Sequence, residues 1–279
     1  MIDLCTVVFR QELPVLRLQA QSISLYCRNL GIRNIYVVVN DDETLVNEID
    51  PAWWGELAPL VLVVPRTAFS TPWVENGWLT QQLWKLLIPS ISYNTCTMVL
   101  DAKTVFVKPV ALSDVINESG RIATGTLPLY EVFEPAKQIV NQTYNIDIKQ
   151  QIGPGGVPFV FHNNTVRSMI ADTANLVQSN FPEWFQSQGR LTEFVLYSGY
   201  VQYRYHSLSK LYTEQNTALR PVNLCHSEID SADRKLSEMV TATTVSIHRN
   251  AWIKLSQNQK QQYRNLLIDC GITEAWNLE

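Results

Sequence analysis

The sequence predicts an α/β fold in which a mostly parallel, Rossmann-like central sheet is flanked by helices. Residues 1–110 alternate apolar, β-branched runs with segments of helical periodicity, which is the pattern of an open parallel sheet. The runs at Ile35–Val39 and Leu60–Val64 are continuously apolar, as expected of strands that are covered on both faces. The chain is 46% hydrophobic and only 17% charged, which favours a compact globular protein with a large interior.

The strands and helices of the first half follow from these runs in chain order. Four strands are predicted, at Leu4–Phe9, Ile35–Val39, Leu60–Val64 and Thr97–Leu100. Asn40-Asp41-Asp42 ends the second strand and Asp101 ends the fourth, because these residue types favour turns. One helix is predicted from Pro14 to the stop at Asn29-Leu30-Gly31, and another at Trp78–Ile88.

The second half is less regular, and its elements are predicted from shorter signals. Strands are expected at Val157–Phe161 and Thr243–Ile247, and helices at Thr165–Gln178 and Thr192–Tyr203. Ser256 with Gln259 has the pattern of a capping box, which predicts a last helix that ends before Gly271. No repeat, low-complexity tract or linker divides the sequence, so residues 1–279 are predicted to form one domain.

Charge and cysteine usage narrow the classes of partner and compartment. The net charge is −4 and the isoelectric point is near 5.6, with no block of like charge, so nucleic-acid binding is not expected. The five cysteines are odd in number, far apart and without a CxxC pair, which indicates buried thiols in a reducing compartment. The sequence shows no signal-peptide pattern and no apolar stretch of about 18 residues. We therefore expect a cytoplasmic protein without a membrane span.

Several well-known catalytic and nucleotide-binding motifs are absent. The sequence has no GxGxxG after the first strand, no GxxxxGK[ST], no GxSxG and no HExxH. Dinucleotide oxidoreductases, P-loop NTPases, α/β-hydrolases and zincins therefore lose their usual support. His226-Ser227-Glu228 matches half of a zinc-deaminase motif, but no PCxxC follows it, so we interpret this match as chance.

Polar residues follow three of the predicted strands. Arg10 follows the first, Asn40-Asp41 the second and Asp101 the fourth. Each one alone is typical of a turn or a surface charge. Ligands of open parallel sheets bind beyond the carboxyl ends of the strands, so the three together favour a ligand site as much as they favour turns.

The predicted helix at Trp78–Ile88 has two distinct faces. One face is apolar and carries four leucines, and another carries Trp78, Gln81, Gln82 and Lys85. By itself this pattern is typical of an ordinary amphipathic helix with a solvated polar face.

Ordered blocks of the sequence resemble the GT-A superfamily of nucleotide-sugar glycosyltransferases. In that superfamily a helix lysine precedes a strand that ends in a D-x-D motif, and a late histidine completes a divalent-metal site. The counterparts here are Lys85, Asp101-Ala102-Lys103 and His248. Residues 76–110 are most similar to an uncharacterised bacterial and viral branch with the patterns G-W-x-x-Q-Q-x-x-K-L and L-D-A-D-T-V-F. Glu193–Val201 is similar to the E-x-x-L-Y-x-x-Y-V segment of that branch.

The resemblance implies a single GT-A domain that binds the donor with residues 1–110 and the acceptor with residues 111–279, which include a C-terminal helix. The reaction would move a sugar from a nucleotide-sugar, foremost a UDP-sugar, to a hydroxyl-bearing acceptor such as a glycan. Breaking the sugar–diphosphate bond leaves extra negative charge on the diphosphate, which nearby cations stabilise. The resemblance assigns catalysis to Asp101, Lys103 and Glu193, and donor binding to Phe9, Arg10, Asn40, Asp41, Gln81, Gln82, Lys85, Gly155 and Gly156.

Metal binding is implied for Asp101 and His248, but the second carboxylate of the motif is replaced by Lys103. A protonated lysine cannot ligate Mg²⁺ or Mn²⁺. Three alternatives are open. Lys103 supplies part of the cation's charge in a metal-independent enzyme, or Asp101 and His248 hold an ion, or the protein has lost catalysis and only binds. We favour the first.

The roles of Glu193 and of the glycine pair also have alternatives. Glu193 would be the general base for the acceptor hydroxyl or would hydrogen-bond sugar hydroxyls, whereas a lone glutamate in a helix is usually a solvated charge. Gly155-Gly156 would let the backbone approach a sugar, or would form an ordinary turn. The rival function from another class is a noncatalytic nucleotide-sugar or glycan-binding protein with the same fold.

Overall fold

A computed structural model describes residues 1–69, 77–154, 156–213 and 219–273. The strands are β1 (Ile2–Val8), β2 (Ile32–Val39), β3 (Val61–Val64), β4 (Cys96–Asp101), β5 (Val105–Phe106), β6 (Ile122–Ala123), β7 (Thr126–Pro128), β8 (Gln150–Ile152), β9 (Phe159–His162), β10 (Tyr212–Thr213), β11 (Pro221–Leu224) and β12 (Thr244–Ile247). The α-helices are α1 (Leu13–Tyr26), α2 (Gly77–Ile91), α3 (Glu134–Tyr144), α4 (Asn163–Val177), α5 (Phe181–Ser187), α6 (Glu193–Tyr205), α7 (Ala232–Met239), α8 (Arg249–Trp252) and α9 (Gln257–Asp269). No helix in the described ranges is long and apolar enough to cross a lipid bilayer.

The central sheet confirms the predicted fold class. Its strand order is β3-β2-β1-β4-β9, in which the first four strands are parallel and β9 pairs antiparallel with β4. β1 is buried along its whole length, and its one acid, Asp3, accepts hydrogen bonds from Asn34 (3.0 Å), Asn94 (2.7 Å) and Ser92. The sheet therefore keeps a satisfied carboxylate in its interior and brings the carboxyl ends of β1, β2 and β4 to one edge.

The first-half strands and helices lie within a few residues of their predicted positions, but the predicted alternation of strand and helix is wrong between β2 and β3. This connection contains two 3₁₀ segments, Glu43–Asn47 and Pro51–Leu60. Gly55 interrupts the second segment with φ 54° and ψ −124°, and Pro59 lacks the N–H that an α-helix needs. Strict alternation of strand and α-helix fails here because these two residues prevent a continuous helical ladder.

The second half contains the predicted helices as α4, α6 and α9. Ser256 Oγ accepts a hydrogen bond from Gln259 N (3.2 Å), and Gln259 Oε1 accepts one from Ser256 N (3.0 Å), which confirms the predicted capping box. α3, α5, α7 and α8 have no counterpart among the helices predicted from the sequence. Three of these four helices are at most eight residues long, so they contain too few turns for a clear apolar periodicity.

A smaller sheet places β11 and β12, from the second half of the chain, next to the turn after β4. Its order is β11-β12-β5, with β11 parallel and β5 antiparallel to β12. β5 begins four residues after Asp101, and its Val105 pairs with Val245 of β12. Apolar side chains of α7 and α9 cover this sheet in a second, smaller core. The pairing brings Arg249, just beyond β12, to the same cavity as Lys103.

Gly199 allows α6 to pack closely against α3. A Cβ placed at Gly199 would overlap a methyl group of Val140 on α3 and would lie 3.6 Å from the Cδ1 atom of Ile148. Gly199, Val140 and Ile148 are all buried, so the contact has no route for relaxation into solvent. The close approach of the two helices therefore requires a residue without a side chain.

Gly199→Ala should lower the free energy of unfolding by about 1–2 kcal/mol. Overpacking a core costs about 1–3 kcal/mol, and the higher helix propensity of alanine offsets at most about 1 kcal/mol of this cost. Urea denaturation followed by circular dichroism measures the change. Gly156→Ala is the matched control, because a Cβ there meets no atom within 4 Å, and it should shift stability by less than about 0.5 kcal/mol.

A double-mutant cycle tests the cause of this loss. In a Val140→Ala background, Gly199→Ala should cost less than it does in the wild type, because the overlapping methyl group is gone. Equal costs in the two backgrounds would show that the destabilisation by Gly199→Ala does not come from contact with the Val140 methyl group.

Candidate active site

Asp101, the last residue of β4, lies between two lysine ammonium groups. Lys85 Nζ on α2 is 2.7 Å from its Oδ1 atom, and Lys103 Nζ is 2.7 Å from its Oδ2 atom. Gln81 Nε2 donates a longer hydrogen bond of 3.4 Å to Oδ1. Burial alone would raise the pKa of Asp101, but the charges of Lys103 and Lys85 outweigh it and hold the pKa well below its usual value. Asp101 is therefore an ionised carboxylate with both oxygens paired.

Lys85 joins Asp101 to Glu193 in the interior. Its side chain is 4% exposed, and its Nζ lies 3.4 Å from Glu193 Oε1 and 5.6 Å from the ring centre of Phe194. Burial by itself lowers the pKa of a lysine, but Asp101 and Glu193 more than compensate, so the pKa of Lys85 is raised. The ammonium stays charged and faces two carboxylates, and its predicted contact with a diphosphate stays a prediction.

Glu193 is the first residue of α6, and its side chain is fully buried. Thr192 caps the helix, since its Oγ1 accepts a hydrogen bond from Val195 N (3.3 Å). The amide nitrogen of Gln82, in the orientation that satisfies both groups, donates to the Glu193 carboxylate. Burial raises the pKa of Glu193 to about 7, although Lys85 opposes this shift. The interior of the site therefore holds an acid that titrates near neutral pH.

The turn that carries Lys103 is held from inside by Gln19 of α1. Gln19 is fully buried, and its Oε1 accepts a hydrogen bond from Thr6 Oγ1 (2.6 Å). Its Nε2 donates to the carbonyl oxygens of Asp101 (2.6 Å) and Thr104 (3.1 Å). Thr104 N also donates to Asp101 O (2.8 Å), which closes the turn. These bonds fix the backbone on both sides of Lys103.

A cavity of about 360 Å³ adjoins this turn. Its apolar wall comes from α1, β12, α8 and α9 and includes Val15, Leu18, Ile247, Trp252 and Tyr263. Its polar lining consists of Gln11, Glu12, Lys103 and Arg249. The cavity therefore combines an apolar wall with two cations and one acid among the described lining residues, and it draws on both the first and the second half of the chain.

Arg10 and Asp41 bind the ends of β1 and β2 to each other. The backbone N–H of Arg10 donates to Asp41 Oδ2 (2.8 Å). The Arg10 guanidinium pairs with Asp42 (2.9 Å) and Glu48 and donates to Thr44 Oγ1 (2.7 Å). These bonds order the connection after β2, and the contact of Arg10 and Asp41 with a nucleotide stays a prediction.

Asn40 and Phe9 hold the beginning of α2. Asn40 is fully buried, donates from Nδ2 to the carbonyl oxygen of Gly77 (2.8 Å) and accepts from Trp84 Nε1 (2.7 Å). The Phe9 ring lies against Gly77, where a Cβ would come within 2.9 Å of Phe9 Cε1. Both side chains therefore have partners within the protein, and their part in nucleotide binding stays a prediction.

The predicted glycine pair is only half described. Gly155 lies outside the described residues. Gly156 is described, and a Cβ at that position would meet no atom within 4 Å. The backbone at Gly156 thus has open space beside it, and its approach to a sugar stays a prediction.

The side chains around Asp101 do not fit a resident Mn²⁺ or Mg²⁺. Both Asp101 oxygens already pair with ammonium groups, and His248 Nδ1 accepts a hydrogen bond from Asn250 N (3.2 Å) at the start of α8. Burial together with the charges of Lys103 and His226 lowers the pKa of His248. Within the described ranges, no three His, Cys, Asp or Glu side chains are grouped so that they could hold a metal ion.

Three residues of this site were not predicted from the sequence: Glu12, Gln19 and Arg249. Glu12 carried one signal, an acid at the predicted start of the first helix, two residues before Pro14. Gln19 carried none, because its partners Asp101 and Thr104 are 82 and 85 residues away in the chain. Arg249 directly follows the predicted ligand His248, but only the smaller sheet brings it to the cavity.

Glu193→Gln should remove a pH dependence of stability between about pH 4.5 and 8. The Glu193 carboxyl titrates at about 7 when folded and near 4.5 when unfolded, so the folded protein binds this proton more tightly. Its stabilising contribution is complete below about pH 4.5 and is lost as the pH rises through 7. The stability of the wild type minus that of the variant should therefore fall by about 2–3 kcal/mol over this range.

Urea denaturation at a series of pH values measures that difference. Glu118→Gln is the matched control, because Glu118 is exposed. The stability of this variant should equal that of the wild type at every pH. If the free energies of unfolding of the wild type and Glu193→Gln differ by the same amount at pH 4.5 and at pH 8, folding does not raise the proton affinity of Glu193.

The architecture is similar to that of the galactosyltransferase LgtC. An active-site mutant of LgtC matches with a TM-score of 0.53 and 10% sequence identity, covering 96% of this chain and 95% of LgtC. LgtC with donor and acceptor sugar analogues matches with a TM-score of 0.48 at 10% identity and the same coverage. The glycosyltransferase GlyE of Streptococcus pneumoniae TIGR4 matches with a TM-score of 0.46 and 12% identity, covering 98% of this chain and 63% of GlyE.

The match to the LgtC mutant, with a TM-score of 0.53, concerns the fold alone. It shows a similar mixed α/β architecture with a mostly parallel central sheet. No curated protein matches the sequence. A family model matches residues 8–243, which is most of the chain, and the protein therefore belongs to a family of unknown function, DUF6492.

Proposed function

We propose that this protein is a glycosyltransferase that moves a sugar from a nucleotide-sugar, foremost a UDP-sugar, to a hydroxyl of a glycan or other acceptor. The observation that carries the proposal is the position of the Asp101–Lys103 ion pair beside the 360 Å³ cavity, at the carboxyl end of β4. Open parallel sheets bind their ligands at this edge. The similarity of the fold to LgtC supports the same class of reaction.

The chemistry of the cavity matches the parts of a nucleoside diphosphate. The volume of about 360 Å³ lies within the range of about 300–1,000 Å³ that is usual for small-ligand sites. The apolar wall, which includes Trp252 and Tyr263, suits a flat base, and Lys103 and Arg249 supply positive charge for the diphosphate. We therefore place the nucleotide between this wall and the turn after β4.

Lys103 takes the part of a divalent cation in the proposed reaction. Cleavage of the sugar–phosphate bond moves an electron pair onto the leaving diphosphate, and a fixed ammonium group beside it stabilises that charge. Asp101 and the buried bonds of Gln19 hold Lys103 in position before the reaction begins. Because the site supplies this charge itself, we propose that the transfer is metal-independent.

Glu193 acts through Lys85 in this proposal. Its carboxylate has no exposed surface and contacts the Lys85 ammonium, which in turn contacts Asp101. A general base must reach the acceptor hydroxyl, directly or through one water molecule, and a fully buried carboxylate does not. We therefore assign Glu193 as a positioning residue.

The second half of the chain provides the chemistry for a hydroxyl-rich acceptor. A cavity of about 470 Å³ lies near the end of α6 and has a lining rich in hydroxyl and amide groups, among them Thr124, Gln150, Gln202, Ser207 and Ser209. Gln202 follows Glu193 by nine residues, which corresponds to about 13 Å along the helix. This larger cavity is therefore separate from the charge cluster, and we propose that it binds the distal part of an acceptor glycan.

The five unpaired cysteines support a reducing location, and we propose that the protein acts in the cytoplasm.

A noncatalytic nucleotide-sugar or glycan-binding protein is the second candidate. Two observations favour it. Lysine stands where the D-x-D motif has its second carboxylate, and the nearby acid Glu193 is fully buried. Binding without turnover would distinguish this candidate from an enzyme.

Lys103→Ala should abolish sugar transfer or donor hydrolysis, whereas wild-type activity should survive EDTA. Lys103→Asp restores the D-x-D pair, and carboxylate oxygens suit Mn²⁺ and Mg²⁺, so its activity should depend on added Mn²⁺. Release of free nucleotide from a panel of nucleotide-sugars, with and without Mn²⁺ or EDTA, measures these effects. Lys108→Ala is the control, because this exposed lysine bonds to the carbonyl oxygen of Thr241 and should keep full activity.

Loss of wild-type activity in EDTA with rescue by Mn²⁺ would contradict the role of Lys103 as the cation. Donor binding without turnover by both the wild type and Lys103→Asp would favour the noncatalytic candidate. No binding of any donor by the wild type would contradict both functions.

Asp101→Asn should lower turnover by at least about tenfold, because the variant keeps the shape of the side chain but loses the charge that positions Lys103. The assay is run at a temperature at which circular dichroism shows the variant to be folded. Asp147→Asn, which alters an exposed pair with Lys149, is the matched control. Turnover by Asp101→Asn at the wild-type rate would show that the charge of Asp101 has no role in the reaction.

A further inference from the structure

Glu12 has an unusual position in the 360 Å³ cavity. It is the one acidic side chain among the described residues that line the cavity, and it shares the polar side of that lining with Lys103 and Arg249. It lies at the N-terminus of α1, where its Oε2 accepts a hydrogen bond from Phe9 N (3.3 Å). The side chain is half-buried and lines the cavity, and Phe9 N holds one of its two carboxylate oxygens.

The hydrogen-bonding capacity of Glu12 is largely unused. A carboxylate can accept about four hydrogen bonds. In the described part of the chain, Phe9 N is the one hydrogen-bond donor to Glu12. The remaining lone pairs of Glu12 are therefore available to hydrogen-bond donors of a bound molecule.

Charge decides which part of a nucleotide can lie against Glu12. A diphosphate is repelled by a carboxylate and attracted by Lys103 and Arg249. The base is matched by the apolar wall that includes Leu18 and Trp252. The ribose connects the base to the diphosphate, and its 2′- and 3′-hydroxyls are two adjacent donors that a single carboxylate can bind together.

We propose that Glu12 makes the site specific for ribonucleotide donors by accepting hydrogen bonds from the 2′- and 3′-hydroxyls of the ribose. This inference rests on the proposed binding of a nucleotide in the cavity. In this arrangement Glu12 recognises the ribose of the nucleotide, whereas Lys103 contacts the diphosphate.

Calorimetric titration of the full chain tests the assignment. ADP, GDP, CDP and UDP are titrated first, and the tightest of them is compared with its 2′-deoxy and 3′-deoxy forms. The wild type should bind each deoxy form about 10- to 100-fold more weakly, the usual effect of losing a hydrogen bond to a charged group. In Glu12→Ala this ratio should fall toward one, and in Glu12→Gln, which keeps the bond to Phe9 N, it should be intermediate.

The ratio of ribo to deoxy affinity is taken within one variant, so a partly unfolded sample does not change it. Glu118→Gln, at an exposed position, should keep the wild-type ratio. Nucleotide binding with an unchanged ratio in Glu12→Ala would overturn the assignment and leave the proposed function intact. A change of preference among the four bases at a constant ratio would also overturn it, because Glu12 would then contact the base. If none of the four nucleotides binds to the wild type, the proposed function fails and the assignment fails with it.

Discussion

The ion pair between Lys85 and Asp101 is the interaction on which the candidate site depends. An ammonium with 4% exposure is stable only with its carboxylate partners, here Asp101 and Glu193. Removing one partner of a buried ion pair typically costs about 3–5 kcal/mol, because the other charge is left uncompensated. These three residues come from α2, β4 and α6, so Lys85 and its two carboxylates join the central sheet to a helix of the second half of the chain.

The two lysines of the cluster have different surroundings. Lys85 is enclosed by carboxylates, whereas the side chain of Lys103 is 19% exposed and lines the cavity. Asp101 binds both and Glu193 also faces Lys85, so the ammonium of Lys103 is the positive charge of this cluster that reaches the cavity. That charge is directed toward the cavity because Gln19 fixes the turn from the interior. The fold thus presents a positive group at the place where the sequence resemblance expects a metal ion.

The residues of the charge cluster could be predicted because each lies in a local pattern. Lys85 is on the polar face of an amphipathic helix, Asp101 ends the fourth predicted strand, and Glu193 begins a segment with a matching family pattern. That Glu193 meets Lys85 could not be predicted, since the contact joins residues 108 positions apart. Gln19 was missed for the same reason, because its partners are 82 and 85 residues away. Glu12 was missed because Lys103 and Arg249, which share its cavity, lie far from it in the chain.

The sequence by itself determined the α/β class, the first-half strands and the capped last helix, because these depend on local apolar periodicity and turn residues. Tertiary structure alone decided the antiparallel pairing of β9 with β4, the 3₁₀ connection after β2, and the return of β12 to the turn that carries Lys103. It also decided that Asn40 is buried against Trp84 and that Asp101 meets two ammonium groups. The physical reason is that burial and charge pairing depend on distances between residues far apart in the chain, which local patterns do not contain.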